Sequence, residues 1–418
     1  MKKMMCTVAA LTMCAALPSL AAAGAGADSQ DDIKKELEYL RLKMSSQMER
    51  VEQLEDRLKK QNEASGRVVL ANEFIDQLKL KGDLRVRYEI RDKDNKTATD
   101  ISRDRWRTRF RVGGVWENKA EDWQVGAGLA SGSDDPTSTN DTWSETKSFE
   151  TGDIRLDYAY AGHKWQDFKF TIGQQENPYE TSWVLWDGDV RLAGLTGQYG
   201  KKEGVFATVG GYGAKLVNDD NTAMLYMGQA GYRGKIGNAK YTLAAGYHAY
   251  DQSFINDKAA TTLGSIDATQ YALEIGDLYG KVSFPVAAAK LSLYGHLWQN
   301  FGADGDVGES QIASFTQKPE DADTGYVIGL DAKIDKFKLG YSYSVVEADS
   351  LYGQLTDSDF GDGLSKTNKQ GHRVALGYGF SKNWSAGLTW FKFEEDVTLT
   401  TTAVDEIDIY QFDLVYKF

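Results

Sequence analysis

Two neighbouring stretches of this chain carry arginine at alternate positions. Arg85, Arg87 and Arg91 do so in the first, and Arg103, Arg105, Arg107, Arg109 and Arg111 in the second. A spacing of two puts side chains on one face of a β-strand. Lys81, Asp83 and Glu89 share the first charged face, whereas Leu80, Gly82, Leu84, Val86, Tyr88 and Ile90 take the other side. In the second stretch the opposite face holds Trp106, Thr108, Phe110 and Val112. An arginine facing lipid at mid-membrane costs about 2–4 kcal/mol, so the charged faces must line an interior. The two strands are neighbours, and their arginines would form one basic wall. The chemistry on offer is electrostatic: fixed cations that set up a field across a lumen. The competing account is that these arginines only pair with Asp83, Glu89, Asp153 and Asp157 on adjacent lumen faces.

A field needs acid opposite the wall. The first candidate is the link Glu176–Gly188, with Glu176, Glu180 and Asp187, and with Trp183 and Trp186 as packing anchors. The second is Ser133–Thr151, which is longer and carries Asp134, Asp135 and Asp141. Asp304-Gly305-Asp306 and the run Asp357-Ser358-Asp359-Phe360-Gly361-Asp362 have the carboxylate clustering that Ca²⁺ favours, but each reads better as a solvated loop. His163, His248, His296 and His372 are scattered, and no Cys/His zinc spacing, nucleophile elbow, phosphate loop or haem-attachment motif occurs. No cofactor, no metal and no catalytic residue is expected.

The elements that would hold the arginines follow from pattern. From Leu78 to Phe418 the chain reads in period two as about sixteen strands, an even number as bacterial outer-membrane barrels have. Short links at Asn118–Asp122, Lys164–Gln166, Lys201–Gly204, Gly237–Asn238, Pro285–Ala287, Asp335 and Ser381–Asn383 alternate with longer ones rich in Asp, Asn, Gly, Ser and Thr. The longer links are Lys93–Ser102, Ser133–Thr151, Glu176–Gly188, Ser253–Thr269, Phe301–Asp323 and Ala348–Lys369; Val217–Thr222 is the exception, only moderately long. Short periplasmic turns alternating with long outer loops are the mark of an antiparallel transmembrane β-barrel. No apolar run beyond the first residues is long enough for a spanning helix.

Residues 28–64 differ. Ile33, Leu37, Leu40, Met44, Val51, Leu54 and Leu58 recur at alternating fours and threes, with Gln47 and Gln61 at the remaining seam positions. That heptad seam predicts a helix that pairs with copies of itself as a coiled coil. The alternative is one solvated helix. Residues 65–77 read as a linker, and 1–27 as a secretory signal: Lys2 and Lys3, the apolar Met4–Leu17, and small-residue cleavage sites at Ala21–Ala23 and Ala25–Ala27. A lipoprotein signal at Cys14 is the less favoured alternative, since Met13 precedes it poorly. Losing Lys2 and Lys3 takes the net charge from −13 to −15, which argues against nucleic acid as a partner.

The last strand ends Tyr410-Gln411-Phe412-Asp413-Leu414-Val415-Tyr416-Lys417-Phe418. Tyr410, Phe412, Leu414, Tyr416 and Phe418 share one face, and a terminal Phe resembles the signal read by the barrel-assembly machinery of Gram-negative bacteria. Signal, heptad helix, the opening strand Gly82-Asp83-Leu84-Arg85-Val86-Arg87-Tyr88-Glu89 and an acidic barrel ending in Phe together resemble a porin family of proteobacteria. The resemblance covers the whole chain but rests on layout and the two end strands. It implies a homotrimeric, sixteen-strand pore in the outer-membrane lipid, passing small hydrophilic solutes and ions, with no catalytic residues. It also places Glu176–Gly188 where the constriction loop of general porins falls. Two other classes stay open. One is a sleeve around an electron-transfer partner; the other is a barrel lipase, for which His248 or His372 would need a partner serine.

Overall fold

A computed structural model describes residues 30–64, 77–96, 99–218, 221–261, 266–305, 310–312, 315–360, 366–398 and 404–418. The expected leader, and residues 65–76 of the expected linker, lie outside the described residues. The chain divides into two units, residues 1–75 and 76–418.

In the first unit, α1 (Gln30–Ala64) runs for 35 residues with no Gly or Pro to interrupt it. Leu37, Leu40, Met44, Val51 and Leu54 of its seam are all more than half exposed. The side chains of Ile33 and Leu58 lie outside the described residues.

In the second unit sixteen antiparallel strands form one closed wall, each bonded to its neighbours in sequence. They are β1 (Leu78–Asn95), β2 (Ile101–Asn118), β3 (Trp123–Ser131), β4 (Ile154–Trp165), β5 (Phe168–Glu176), β6 (Arg191–Gly200), β7 (Gly204–Asn218) and β8 (Asn221–Ile236). The second half is β9 (Ala239–Tyr250), β10 (Glu274–Val286), β11 (Ala289–Asn300), β12 (Thr324–Ile334), β13 (Phe337–Val346), β14 (Lys369–Gly379), β15 (Trp384–Glu395) and β16 (Val404–Lys417). β16 closes on β1 in a register that sets Arg87 opposite Asp413 and Tyr88 opposite Phe412. The amides of Gly82 and Phe418 each donate to the other's carbonyl at 3.1 Å. The Phe418 ring lies over Gly82, where an added Cβ would stand 2.4 Å from the ring. Only glycine lets the last side chain seal the seam.

The tight turns gather at one end. Asp122, Gln166, Ala287 and Asp335 adopt positive φ there, between 49° and 57°. Such residues are uncommon outside glycine, but tight hairpins whose twist matches the flanking strands demand them. The long loops gather at the other end, except that β7 and β8 extend until only residues 219–220 separate them. One loop contains a short helix that period-two reading missed, α2 (Gln252–Thr261), capped by Asp251, whose carboxylate accepts from the Phe254 amide at 3.1 Å. β3 is short, so the outer part of β2 is paired instead by the two residues Asp141–Thr142, and Trp143 stacks on Trp106 at 5.6 Å.

The outward face carries an apolar band of side chains such as Ile172, Leu195, Val209, Leu243 and Ile328, each more than half exposed. Aromatic pairs flank it near the turns: Trp165–Phe168, Phe168–Tyr199, Phe337–Tyr378 and Trp384–Tyr416 have ring centroids 4.9–5.9 Å apart. Apolar band and aromatic girdle are what a barrel in lipid presents. Tyr410, Phe412, Leu414 and Tyr416 of β16, and Phe418 just beyond it, sit on this outward face, with Phe412, Leu414 and Phe418 exposed.

Candidate functional site: the lumen

The arginines face inward as their period requires. β1 and β2 pair so that Arg85 opposes Arg109, Arg87 opposes Arg107, and Arg91 opposes Arg103. Like charges directly opposite one another destabilise a sheet, so acid must intervene. Glu89, with no exposed surface, accepts from Arg91 Nε at 2.6 Å, Arg105 Nε at 2.7 Å and Gln411 Nε2 at 2.9 Å. Asp83 holds Arg109 and Arg111 at 2.8 and 2.7 Å. From β16, Asp413 takes both Nε and a terminal nitrogen of Arg87, at 2.7 and 2.9 Å. Loops supply the rest. Asp359 accepts from Arg87 at 3.0 Å, Asp189 from Arg111 at 3.2 Å, and Asn140 from Arg85 at 2.5 Å. Ser138 accepts from Arg107 at 3.3 Å. Arg103 alone of the eight stands exposed, towards the loop end.

The expected basic wall is therefore a paired and largely buried ion network. Asp83 and Glu89 pair as the competing account had it. Asp157 instead pairs with Arg191 at 2.9 Å, and Asp153 lies exposed at the foot of β4. Of the two Ca²⁺ candidates, the one holding Asp357 and Asp359 is not a solvated loop: both carboxylates turn into the barrel. Among the described residues no group of three or more His, Cys, Asp or Glu is set to hold a metal.

Of the two candidate loops, 133–151 turns inward only at residues 137–140 while residues 143–149 stand exposed, and residues 177–190 cross the lumen. The crossing can be followed by its anchors. At its start Glu176 meets Lys81 at 3.2 Å. The Tyr179 hydroxyl meets that of Tyr212 at 3.1 Å on β7, and Glu180 bonds Arg233 at 2.8 Å on β8. Ser182 Oγ lies 2.9 Å from His296 Nδ1 on β11. Trp183 packs edge-on against Phe391 of β15 at 6.1 Å, and Trp186 against His248 of β9 at 5.6 Å. Val184, Leu185 and Trp186 join a buried apolar cluster with Ile275, Trp298, Val327, Phe393, Ile407 and Ile409 from the wall. The loop-end half of the lumen is thus packed.

Asp187 ties this loop to residues 353–360. Its amide donates to the Leu355 carbonyl at 2.8 Å, and its carboxyl receives the Ser358 amide at 3.3 Å. Burial, with the Asp357 carboxyl nearby, pushes the Asp187 carboxyl up to about 9. Burial and the neighbouring Asp359 push Asp357 up to about 6. Asp359 is buried too, but Arg87 and Arg91 hold its carboxyl below the ordinary range. Burial raises a carboxyl unless a cation compensates, and Asp359 has the cations.

Ser182, His296 and Asp277 form a chain, since His296 Nε2 stands 3.1 Å from Asp277 Oδ1. The connectivity is that of a nucleophile, base and orienter, but all three are buried beneath the crossing loop. Its role is to anchor that loop. Sequence reading missed Asp277 and Asp189, took His296 as a scattered histidine, and placed Asp359 in a possible Ca²⁺ run rather than against the arginines. Asp413 left a signal as the acid on the inward face of the last strand.

Fold and lumen together define an outer-membrane β-barrel with a charged interior and an inward loop. Residues 90–277 and 277–418 match the model of the family described as "Putative porin", and the chain belongs to that family. Among solved structures it is similar to OprB of Pseudomonas putida, with 12% identity, a TM-score of 0.55, and coverage of 83% of this chain and 96% of that one. It is also similar to OmpF of Salmonella typhi in complex with daunomycin, with 14% identity, a TM-score of 0.49, and coverage of 82% and 97%. At such identities the likeness is one of fold. No curated protein matches the chain.

Proposed function

We propose that this porin passes small hydrophilic solutes and ions down their gradients through its lumen, with the sieve set by the loop at 177–190. The observation that carries the reading is the closed sixteen-strand wall, a size that leaves an aqueous interior in barrels, crossed by a loop anchored on opposite strands. Selectivity would act where that loop and residues 353–360 meet the arginine network. Fixed charge is offered to a passing solute by β1 and β2, beside the apolar packing that Phe393, Ile407 and Ile409 contribute from β15 and β16. The chain would sit in the outer membrane with its tight turns and α1 on the periplasmic side, and the Phe418 strand would serve the barrel-assembly machinery. The exposed seam of α1 supports a coiled coil, and a homotrimer is the assembly that the resemblance implies.

Purified protein in planar lipid bilayers tests the pore. Stepwise conductance is expected; a folded barrel that never conducts overturns the reading. Deleting residues 29–64 tests the self-pairing of α1 by oligomer size, and an unchanged oligomer assigns assembly to the barrel alone.

A further inference from the structure

At the tight-turn end the lumen face splits by how its cations are matched. Lys79 pairs with Glu117 at 2.6 Å, Lys81 with Glu176 at 3.2 Å, and Lys235 with Glu203. The next five strands differ. Lys240 on β9, Lys281 on β10, Lys290 on β11, Lys333 on β12 and Lys338 on β13 are exposed, and none has an acid within ion-pair distance among the described residues. Strand parity puts all five on the inward face. They share it with His248, Tyr279, His296, Val327 and Ser342, all of which are buried.

The register brings them together. Lys290 stands directly opposite Lys333, and Lys333 directly opposite Lys338, giving three ammonium groups in one row. Lys240 opposes Ser283 and Lys281 opposes Thr242, so these two lie one rung apart diagonally. The acid on the same face and nearest in sequence is Asp331, one rung deeper, opposite Ser292 and Gly340. Cβ atoms of directly opposed residues are roughly 4.5–5.5 Å apart, and like charges so placed cost stability. Lys79, Lys81 and Lys235 spend their charge on acids, whereas this row, like the opposed Lys164 and Lys169 on β4 and β5, has no acid within ion-pair distance among the described residues and stands on a concave wall. A cleft lined by one sign of charge with low-dielectric walls concentrates counter-ions.

We propose that the row Lys290–Lys333–Lys338, flanked by Lys240 and Lys281, binds small polyvalent oxyanions at the turn-end mouth of the lumen and biases the pore towards anions. Adjacent ammonium groups match an anion that presents charged oxygens on more than one side. An inward-facing concave row suits such a small anion better than a protein surface. The bias runs against the chain's net charge of −13. The transport half of this inference rests on the pore reading above; the binding half does not.

The test uses the full chain and the triple variant Lys290→Gln, Lys333→Gln and Lys338→Gln, whose folding is checked by the heat-modifiable band on a gel. In a salt gradient across a planar bilayer, the reversal potential of the unmodified protein is expected on the anion side, and that of the variant shifted towards the cation side. Identical reversal potentials overturn the bias. Binding is read separately by calorimetric titration of inorganic diphosphate into the folded proteins at low salt. Heat of binding in the unmodified protein that is lost in the variant supports the site. Equal binding in both, or none in the unmodified protein, overturns it. If no channel forms at all, the pore reading fails and the titration alone decides the site.

Discussion

The two halves of the lumen handle cations in opposite ways. In the loop-end half, Arg87 and Arg91 are buried, and acids from β1, β16 and the loops converge on them, while the buried Arg107 is met by Ser138. In the turn-end half, five lysines stand exposed on β9–β13 with no acid within ion-pair distance among the described residues. Burial makes the difference. An unpaired charge removed from water is far too costly to keep, so loops that pack over arginines must bring carboxylates with them. A charge left in water carries no such demand, and its sign stays available to a solute.

The largest effect expected from this contrast is at Glu89. Glu89→Gln leaves Arg91 and Arg105 buried without their counter-charge, a loss of about 3–5 kcal/mol. Denaturant unfolding followed by tryptophan fluorescence should show it, and an unchanged midpoint would break the contrast. Next comes the loop side. Asp359→Asn weakens hydrogen bonds from a charged donor, each worth about 1.5–3 kcal/mol, and loosens residues 353–360 over the arginines. Single-channel conductance should rise, with little change in global unfolding.

A pH dependence should sharpen the loop contact. The folded carboxyl of Asp187 lies near 9 and that of Asp357 near 6, both above the ordinary value of 3.8. The folded state therefore binds more protons, and the contact is strongest below about pH 4. It weakens as pH rises, through about 6 for Asp357 and about 9 for Asp187. Open probability should climb on the alkaline side, and Asp187→Asn should abolish the upper part of that climb; a flat profile in the unmodified protein contradicts it. The smallest effect lies at the other end. Lys333→Gln should shift the unfolding free energy by less than about 0.5 kcal/mol, as solvent-exposed substitutions do. A destabilisation as large as that of Glu89→Gln would show that the two ends are alike.

Much of the barrel was legible in the chain. Alternation along β1, β2 and β16 separated lipid face from lumen face residue by residue, and the run of short and long links counted the strands. Thr324–Ile334 fills the interval between the links Phe301–Asp323 and Asp335 as alternation predicts. α2 escaped because its signals, an Asp cap and a brief apolar face, sit within polar loop residues. The eight inward arginines could be placed, and Asp83 and Glu89 named among their partners, but the acids that arrive from β16 and the loops could not, and the acidic loop expected to oppose them was only part of the answer.

The sequence by itself determined which way each strand side chain points, because a period of two is built into the extended backbone and lipid tolerates no charge. The tertiary structure decided who meets whom. Arg87 and Asp413 are 326 positions apart and meet only because the sheet closes. Asp359 arrives from 272 positions away because its loop turns inward to bury Phe360 against Phe393. Closure and loop packing are long-range events, and no local pattern in the chain records them.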